Sequence, residues 1–370
     1  MIKVLVDGLP RTVGGIGTLI MNIVDKSREI DGGFEFEFLV PSGSRYLEIL
    51  EKRKEKYYLV PPVSKTSEYK EAITKIVTDT HYDFLWFNNT SKVNIYLPRI
   101  AKKVGKCKVI AHIHGMSIEA SQKRKMILTA LDRLHAPEMY KLIDIPLACS
   151  KASAKYYYKN RKLLERSTVI FNGIVTSRFV FDEDDRKTVR EELGLTEGDI
   201  LLGTVGRLTA IKNYPFIINM MKDLPDNYKL IIAGIGEDDK ALQSLIDGSD
   251  LGSRCRLLGL RTDIPQLLSA MDVFLLPSFS EGMPFSVIEA QASGLPCVIS
   301  DTLSDELDIT GLVKNAAIDN GTKVWADKIM QISIGKNSRL EYSSKVREAG
   351  YDIDVACRQF TEILKKNAGN

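Results

Sequence analysis

The sequence predicts an α/β protein built as two doubly wound, Rossmann-like domains. Three observations carry that expectation. Short Val- and Ile-rich runs alternate with amphipathic stretches of helical length along the whole chain, the pattern of repeated βαβ units around a parallel sheet. The length of 370 residues exceeds one typical core and suits two domains of similar size. The opening order of strand, glycine-bearing turn and helix occurs twice, once where Val4-Leu5-Val6 runs towards Gly14-Gly15-Ile16-Gly17 and again where Gly203-Thr204-Val205 meets Gly206-Arg207. No sequence repeat accompanies this, so the duplication is one of architecture.

In order, the first half offers strand candidates at residues 3–6, 34–40, 84–88, 108–114, 145–149 and 169–171. The second offers 200–205, 229–233, 255–258, 273–277 and 297–300. Helical apolar spacing marks residues 17–26, 123–134, 215–221, 265–270 and 354–366. The acidic stretch 179–190 lacks strand character and reads as the seam, its carboxylates suited to a helix start. The expected domains are residues 1–175 and 176–350, with 351–370 forming a helix that crosses back to the first. The N-terminus reads as a buried strand and not as a secretory segment, and no apolar run approaches the roughly 20 residues that span a bilayer. Five scattered cysteines form neither a metal pair nor a disulfide framework, which suits a reduced, cytoplasmic protein.

The formal net charge is +3, which argues against a wholly basic nucleic-acid binder and against an acidic disordered chain. Its distribution is uneven. Residues 1–175 hold 29 Lys and Arg against 18 Asp and Glu, a net of +11, while 176–370 hold 22 against 30, a net of −8. The basic half includes Lys102, Lys103, Lys106 and Lys108, then Lys123-Arg124-Lys125, then Lys155, Lys159, Arg161, Lys162 and Arg166.

Ligands of doubly wound sheets sit outside the carboxyl ends of the strands. The most informative stretch there is 272–301, where a strand ends at Pro277 and the loop Ser278-Phe279-Ser280-Glu281-Gly282-Met283 leads to Pro284, which suits a first helical turn. The helix expected over 285–293 ends at Gly294, with Glu289 one to two turns inside. Its free N–H groups can hold a diphosphate, flanked by two carboxylates able to accept hydrogen bonds from a sugar and a ribose. In the segment from Gly206 to Lys212, Arg207 offers a planar fork for phosphate oxygens and Lys212 a compact charge. Gly14-Gly15-Ile16-Gly17 resembles an anion-cradling turn entering a helix near Thr18, although it is neither GxGxxG nor a P-loop. Two of the four histidines, His112 and His114, share one strand face, and His114 beside Gly115 is the functional candidate while His112 reads as core. No further ligands at suitable spacing suggest a metal site.

These residues resemble the GT-B fold glycosyltransferases of family 4, especially bacterial enzymes of capsule, exopolysaccharide and O-antigen assembly. Glu281 to Glu289 matches the family's E-x7-E signature, and Gly206-Arg207-Leu208 followed by Lys212 its G-R-L-x3-K element. Phe171-Asn172-Gly173 resembles the interdomain N-G turn, and Gly14 to Gly17 the N-terminal glycine loop. The resemblance implies two domains facing an interdomain cleft, with Arg207 and Lys212 binding the donor diphosphate and Gly206 beneath it. It places Glu281 on the donor sugar, Met283, Pro284 and Phe285 as backbone contacts, and Glu289 on the ribose. Leu260 and Arg261 would receive the nucleobase, His114 would lie beside sugar and acceptor, and Gly15 and Gly17 would let the first helix approach a substrate.

The implied reaction transfers a hexosyl or N-acetylhexosaminyl group with retention, from a nucleotide sugar (UDP favoured), without a cofactor or essential metal. No carboxylate stands out as a covalent nucleophile, so a front-face displacement assisted by the leaving phosphate is the expected route. The acceptor is expected to be a glycan, in particular a lipid-linked intermediate, and the basic half could then attach peripherally to an anionic membrane, each Lys or Arg adding about 1 kcal/mol. The alternatives are a sugar-nucleotide epimerase or phosphorylase of the same fold, transfer to a soluble or protein acceptor, and a non-catalytic nucleotide or nucleic-acid module. Basic and aromatic residues are not interleaved as on strand-binding surfaces, so nucleic acid is not expected as a partner.

Overall fold

The computed structural model describes residues 1–11, 14–88, 91–115, 122–333 and 339–369, with the side chains of 122–125 outside the description. The chain forms two compact units, Met1–Gly173 with Ile353–Asn370, and Ile174–Asp352.

The first unit is a seven-stranded parallel sheet of β1 (Ile2–Asp7), β2 (Phe34–Pro41), β3 (Tyr57–Val60), β4 (Phe84–Phe87), β5 (Lys108–Ile113), β6 (Ile145–Ala148) and β7 (Thr168–Val169). The spatial order is β3-β2-β1-β4-β5-β6-β7. Direction reverses between β1 and β4, where Val4 lies opposite Phe84 and Leu5 opposite Leu85. Every residue of β4, Phe84-Leu85-Trp86-Phe87, is buried, as expected of a central strand covered on both faces. One face packs Leu5, Leu85 and Phe87 against Tyr69, Ile73 and Leu97. On the other, the ring of Phe360 lies 4.3 Å from that of Trp86. Phe360 belongs to the last helix, Ile353–Ala368, which also packs Cys357 against Ser27 of the helix Gly15–Ile30 at 3.3 Å.

At the amino end of this sheet one carboxylate is wholly buried. Glu37 accepts from Lys56 Nζ at 2.9 Å, Tyr58 OH at 2.8 Å, Tyr82 OH at 2.5 Å and Lys3 Nζ at 3.3 Å. These donors outweigh burial and hold its pKa down at about 2.

The second unit is a six-stranded parallel sheet of β8 (Ile200–Val205), β9 (Tyr228–Ala233), β10 (Cys255–Gly259), β11 (Val273–Leu276), β12 (Cys297–Ser300) and β13 (Val313–Ala316). Its order is β10-β9-β8-β11-β12-β13, and the reversal falls between β8 and β11. Leu202, Leu230, Val273, Leu275 and Val298 pack on one face against Ile217, Ile218 and Trp325.

Here two guanidiniums are buried around the buried carboxylate of Asp272. Arg186 donates to the carbonyls of Ser269, Ala270 and Met271 and to Asp272 at 2.6 Å. Arg339 donates to the carbonyls of Leu268, Ser269, Met271 and Ser293, and its guanidinium lies 4.2 Å from the Phe181 ring centroid. Together they cap the carboxyl-terminal carbonyls of the helix Ile264–Ala270, groups that would otherwise be buried unpaired.

Three sequence expectations need correction. The acidic stretch is not a seam: residues 183–192 form the helix Glu183–Glu192, capped by Asp182 accepting from Asp185 N and locked inside the second unit by Arg186. The carboxylates do favour a helix start, but burial of Arg186 among them is not visible in composition. Strands β3 and β13 were not expected: both are four-residue edge strands, β13 with little apolar signal and β3, Tyr57-Tyr58-Leu59-Val60, apolar but too short to show a period. The first helix begins at Gly15, three residues before Thr18, because glycine there opens a helix without supplying propensity of its own.

Candidate active site

In the second unit, the loops following β8 and β11 meet at the reversal of strand order, where doubly wound sheets bind ligands. After Val205 the chain passes through Gly206, Arg207 and Leu208 to the short 3-10 turn Ala210–Lys212. Asn213 then takes a left-handed conformation (φ 54°) that turns it into the helix Tyr214–Met220. Phe279 N donates to Ile211 O at 2.9 Å, tying the two loops together. Lys212 Nζ lies 2.7 Å from Glu281 Oε1, both side chains largely buried. The two motif elements, far apart in sequence, thus form one ion pair across the switch point.

Two glycines not singled out from the sequence hold this loop in place. A Cβ on Gly234 would stand 1.9 Å from Gly206 O, and one on Gly236 would stand 2.0 Å from Leu208 O. Gly206 N in turn donates to Ala233 O at 3.0 Å, and Leu208 N to Ile235 O at 3.1 Å. The signal available was the spacing Gly234-Ile235-Gly236 at the end of a strand.

The helix Phe285–Ala292 follows Pro284, which is its N-cap and lies just outside the first turn. That first turn carries no acidic side chain, so no carboxylate of its own competes for its free N–H groups. Met283 is buried. Burial pushes the Glu289 carboxyl up to about 7, with Arg178 opposing the shift. Near neutral pH that group therefore exchanges between a pure acceptor and a donor-acceptor. Leu260 is 66% exposed after Gly259, whose φ is 64°. The Arg261 guanidinium is occupied by Glu192 and Asp263, each at 2.6 Å, so its side chain is anchored and the segment offers backbone and the Leu260 surface. Next to it, Arg178, Asp185, Thr262, Asp263, Pro265 and Gln266 line a groove of about 410 Å³. Arg207 is exposed above the Gly206 loop.

In the first unit the described residues at the ends of β1, β4 and β5 include His114, Asn88 and Asp7. His114 follows β5, with Nε2 2.9 Å from Asn88 Oδ1 and Nδ1 3.4 Å from Asn172 Oδ1. Asn88 Nδ2 donates to Asp7 O at 2.9 Å, which leaves Oδ1 as acceptor and assigns the proton to His114 Nε2. Burial pushes His114 down to about 4, so it is neutral under ordinary conditions. His112 is fully buried, 4.1 Å from His114 between ring centroids, and belongs to the core. Asp7, at the end of β1, is pushed up to about 7 by burial. Asn88 and Asp7 were not anticipated, because each is a single polar residue at the end of an apolar strand.

The glycine turn divides into two roles. Gly14 and Gly15 are exposed, while a Cβ on Gly17 would stand 2.1 Å from the Tyr46 hydroxyl. Tyr46 OH also donates to Gly14 O at 3.3 Å. Gly17 is thus required by packing, and Gly14 and Gly15 present the open helix end. The side chains of Lys123, Arg124 and Lys125 lie outside the described residues.

Comparison with known proteins agrees with this geometry. The family of glycosyl transferases group 1 matches residues 185–349. An Escherichia coli UDP-Gal:alpha-D-GlcNAc-diphosphoundecaprenol alpha-1,3-galactosyltransferase is 30% identical over 291 residues, 72% of each chain. The E. coli O-antigen biosynthesis glycosyltransferase WclY is 25% identical over 265 residues, 70% of each. Among solved structures, HepE of Anabaena in complex with UDP-glucose superimposes with a TM-score of 0.78 over 99% of this chain and 100% of its own, at 18% identity. The chain therefore belongs to the group 1 glycosyltransferases of family 4, hexosyltransferases of the GT-B fold that use nucleotide sugars.

Proposed function

We propose that this chain is a retaining transferase that moves a hexosyl or N-acetylhexosaminyl group from a UDP-sugar to a lipid-linked glycan of capsule, exopolysaccharide or O-antigen synthesis. The Lys212–Glu281 pair at the second switch point carries the reading. A diphosphate competes with Glu281 for Lys212, and Arg207 and the N-terminus of the helix Phe285–Ala292 add further positive potential. Glu281, released from Lys212, accepts hydrogen bonds from sugar hydroxyls, and Glu289 holds the ribose. As the sugar–phosphate bond breaks, the growing negative charge falls on groups already oriented to receive it. The leaving phosphate takes the proton of the attacking hydroxyl on the same face, so the anomeric configuration is retained without a covalent enzyme intermediate. Neutral His114 serves as a hydrogen-bonding surface for sugar or acceptor, not as a charged acid.

UDP-glucose in HepE and UDP-galactose in the E. coli relative's name support a uridine donor, and that relative's diphosphoundecaprenol acceptor supports a lipid-linked one. Met126, Ile127 and Leu134 are exposed on the helix Gln122–Leu142, and Lys151, Lys155, Lys159, Arg161 and Lys162 are exposed on the segments after β6. Apolar and basic side chains in one region suit docking on the inner face of an anionic membrane. Among the described residues no helix is long and apolar enough to cross one.

The decisive experiment incubates the protein with UDP-, GDP- and ADP-sugars with and without GlcNAc-diphosphoundecaprenol. Acceptor-dependent release of UDP with an α-linked product supports the proposal. Conversion of the donor sugar into its epimer without nucleotide release, or a trapped glycosyl-enzyme, would overturn it.

A further inference from the structure

Beside the Lys212 side chain is a buried hydroxyl, that of Tyr214, which the reaction as described does not use. Among the described residues, Tyr214 OH is buried with no acceptor for its proton, its oxygen facing only the Thr204 hydroxyl without a well-formed hydrogen bond. A hydroxyl left in that state costs about 1–3 kcal/mol, and a Phe at 214 would keep the ring packing and avoid the cost. The position of the Tyr214 hydroxyl is specific. A Cβ built on Gly206 would lie 2.9 Å from Tyr214 OH, 3.5 Å from Lys212 Cε and 3.6 Å from Lys212 Nζ. Phenol and ammonium therefore converge on the space that the missing side chain of residue 206 leaves open. Glu281 is close enough to raise the Tyr214 pKa together with burial, while the Thr204 hydroxyl opposes the shift. The phenol stays protonated and is a hydrogen-bond donor in search of an acceptor.

We infer that Tyr214 is a positioning residue for Glu281, taking over as its hydrogen-bond donor when a nucleoside diphosphate draws Lys212 away. The inference rests on the donor-site reading above and deepens it. Opening the ion pair to admit a diphosphate leaves a largely buried carboxylate without its counter-charge, an expensive state unless another donor replaces the ammonium. Tyr214, whose hydroxyl shares the space over Gly206 with the ammonium that now pairs with Glu281, supplies that donor. Uridine alone makes no claim on Lys212, so its binding does not require the exchange.

The test is calorimetric binding of UDP and of uridine to the full chain and to Tyr214→Phe, with GDP and guanosine, and ADP and adenosine, as parallel pairs. For the nucleotide that binds, the variant loses about tenfold in diphosphate affinity, the value of one hydrogen bond to a charged group, while nucleoside affinity is unchanged. Its thermal midpoint is equal to or above that of the parent, since an unsatisfied hydroxyl has been removed. In a Glu281→Ala background the Tyr214→Phe effect disappears. Equal diphosphate affinity, parallel loss for nucleoside and diphosphate, or an effect that persists without Glu281 would each overturn the inference alone. A parent protein that binds none of the three diphosphates would overturn both this inference and the donor site it rests on.

Discussion

The two units share one plan and differ in what they place at its switch point. At the ends of β1, β4 and β5 the first unit presents Asp7, pushed up to about 7, Asn88, and a neutral His114, pushed down to about 4, with Asn172 against its ring. Between β8 and β11 the second presents a full ion pair, Lys212–Glu281, beside an exposed Arg207. Neutral donors and acceptors recognise hydroxyls without demanding a counter-charge, whereas a diphosphate needs cations close at hand. Away from these sites, the first unit buries the Glu37 carboxylate against Lys3 and Lys56, and the second buries Arg186 and Arg339 around Asp272. Equal architecture thus sets where a ligand sits, and local charge sets what kind.

The contrast can be broken most sharply at the ion pair. Lys212→Ala and Glu281→Ala are each expected to reduce turnover about 100- to 1000-fold, with a folded protein by circular dichroism. Gly234→Ala should act on stability as well as activity, since its Cβ would meet Gly206 O at a backbone φ of 151°. A loss of about 3 kcal/mol in urea denaturation is expected, and a stability within error of the parent would refute the tight loop packing. His114→Asn sharpens the other side of the comparison. It should lower acceptor-dependent transfer more than tenfold while leaving UDP affinity intact, and a matching loss of UDP affinity would assign His114 to the donor instead.

The buried carboxylate gives a pH prediction. Because Glu37 is held down at about 2 in the folded protein, its contribution is complete above the ordinary carboxylate range near 4.5 and is lost as pH falls towards 2. The urea midpoint of the parent should therefore drop between pH 6 and pH 3 by more than that of Glu37→Gln. The smallest effect is expected at the surface. Lys155→Glu should weaken binding to phosphatidylglycerol vesicles by several-fold at low salt, with unchanged thermal stability, and unaltered binding would remove Lys155 from the docking face.

Most of the architecture was legible because central strands of a parallel sheet are continuous apolar runs and their loops carry glycine and proline. Strands β3 and β13 escaped because edge strands are short and partly solvated. Spacing and loop context singled out Glu281, Glu289, Arg207 and Lys212 as candidates. The direct contact of Lys212 with Glu281 was not, since pairing between distant loops depends on which strands lie side by side. Tyr214 and Gly234 escaped for a different reason. One is an apolar ring in helical register whose hydroxyl alone matters, and the other is a glycine whose necessity comes from a carbonyl 28 positions earlier.

The chain passes between units twice, after Gly173 and again after Asp352, and the two passages are joined where Ile174 N donates to Tyr351 O at 2.9 Å and Ile174 bridges to Asp352. The second unit is therefore a cassette with adjoining ends, inserted into the first. During synthesis it emerges whole, whereas the first unit waits for Phe360 to cover Trp86. The part of the protein made first is the last to be complete, and a chain cut short by its final 18 residues would keep an intact second unit beside an uncovered first one.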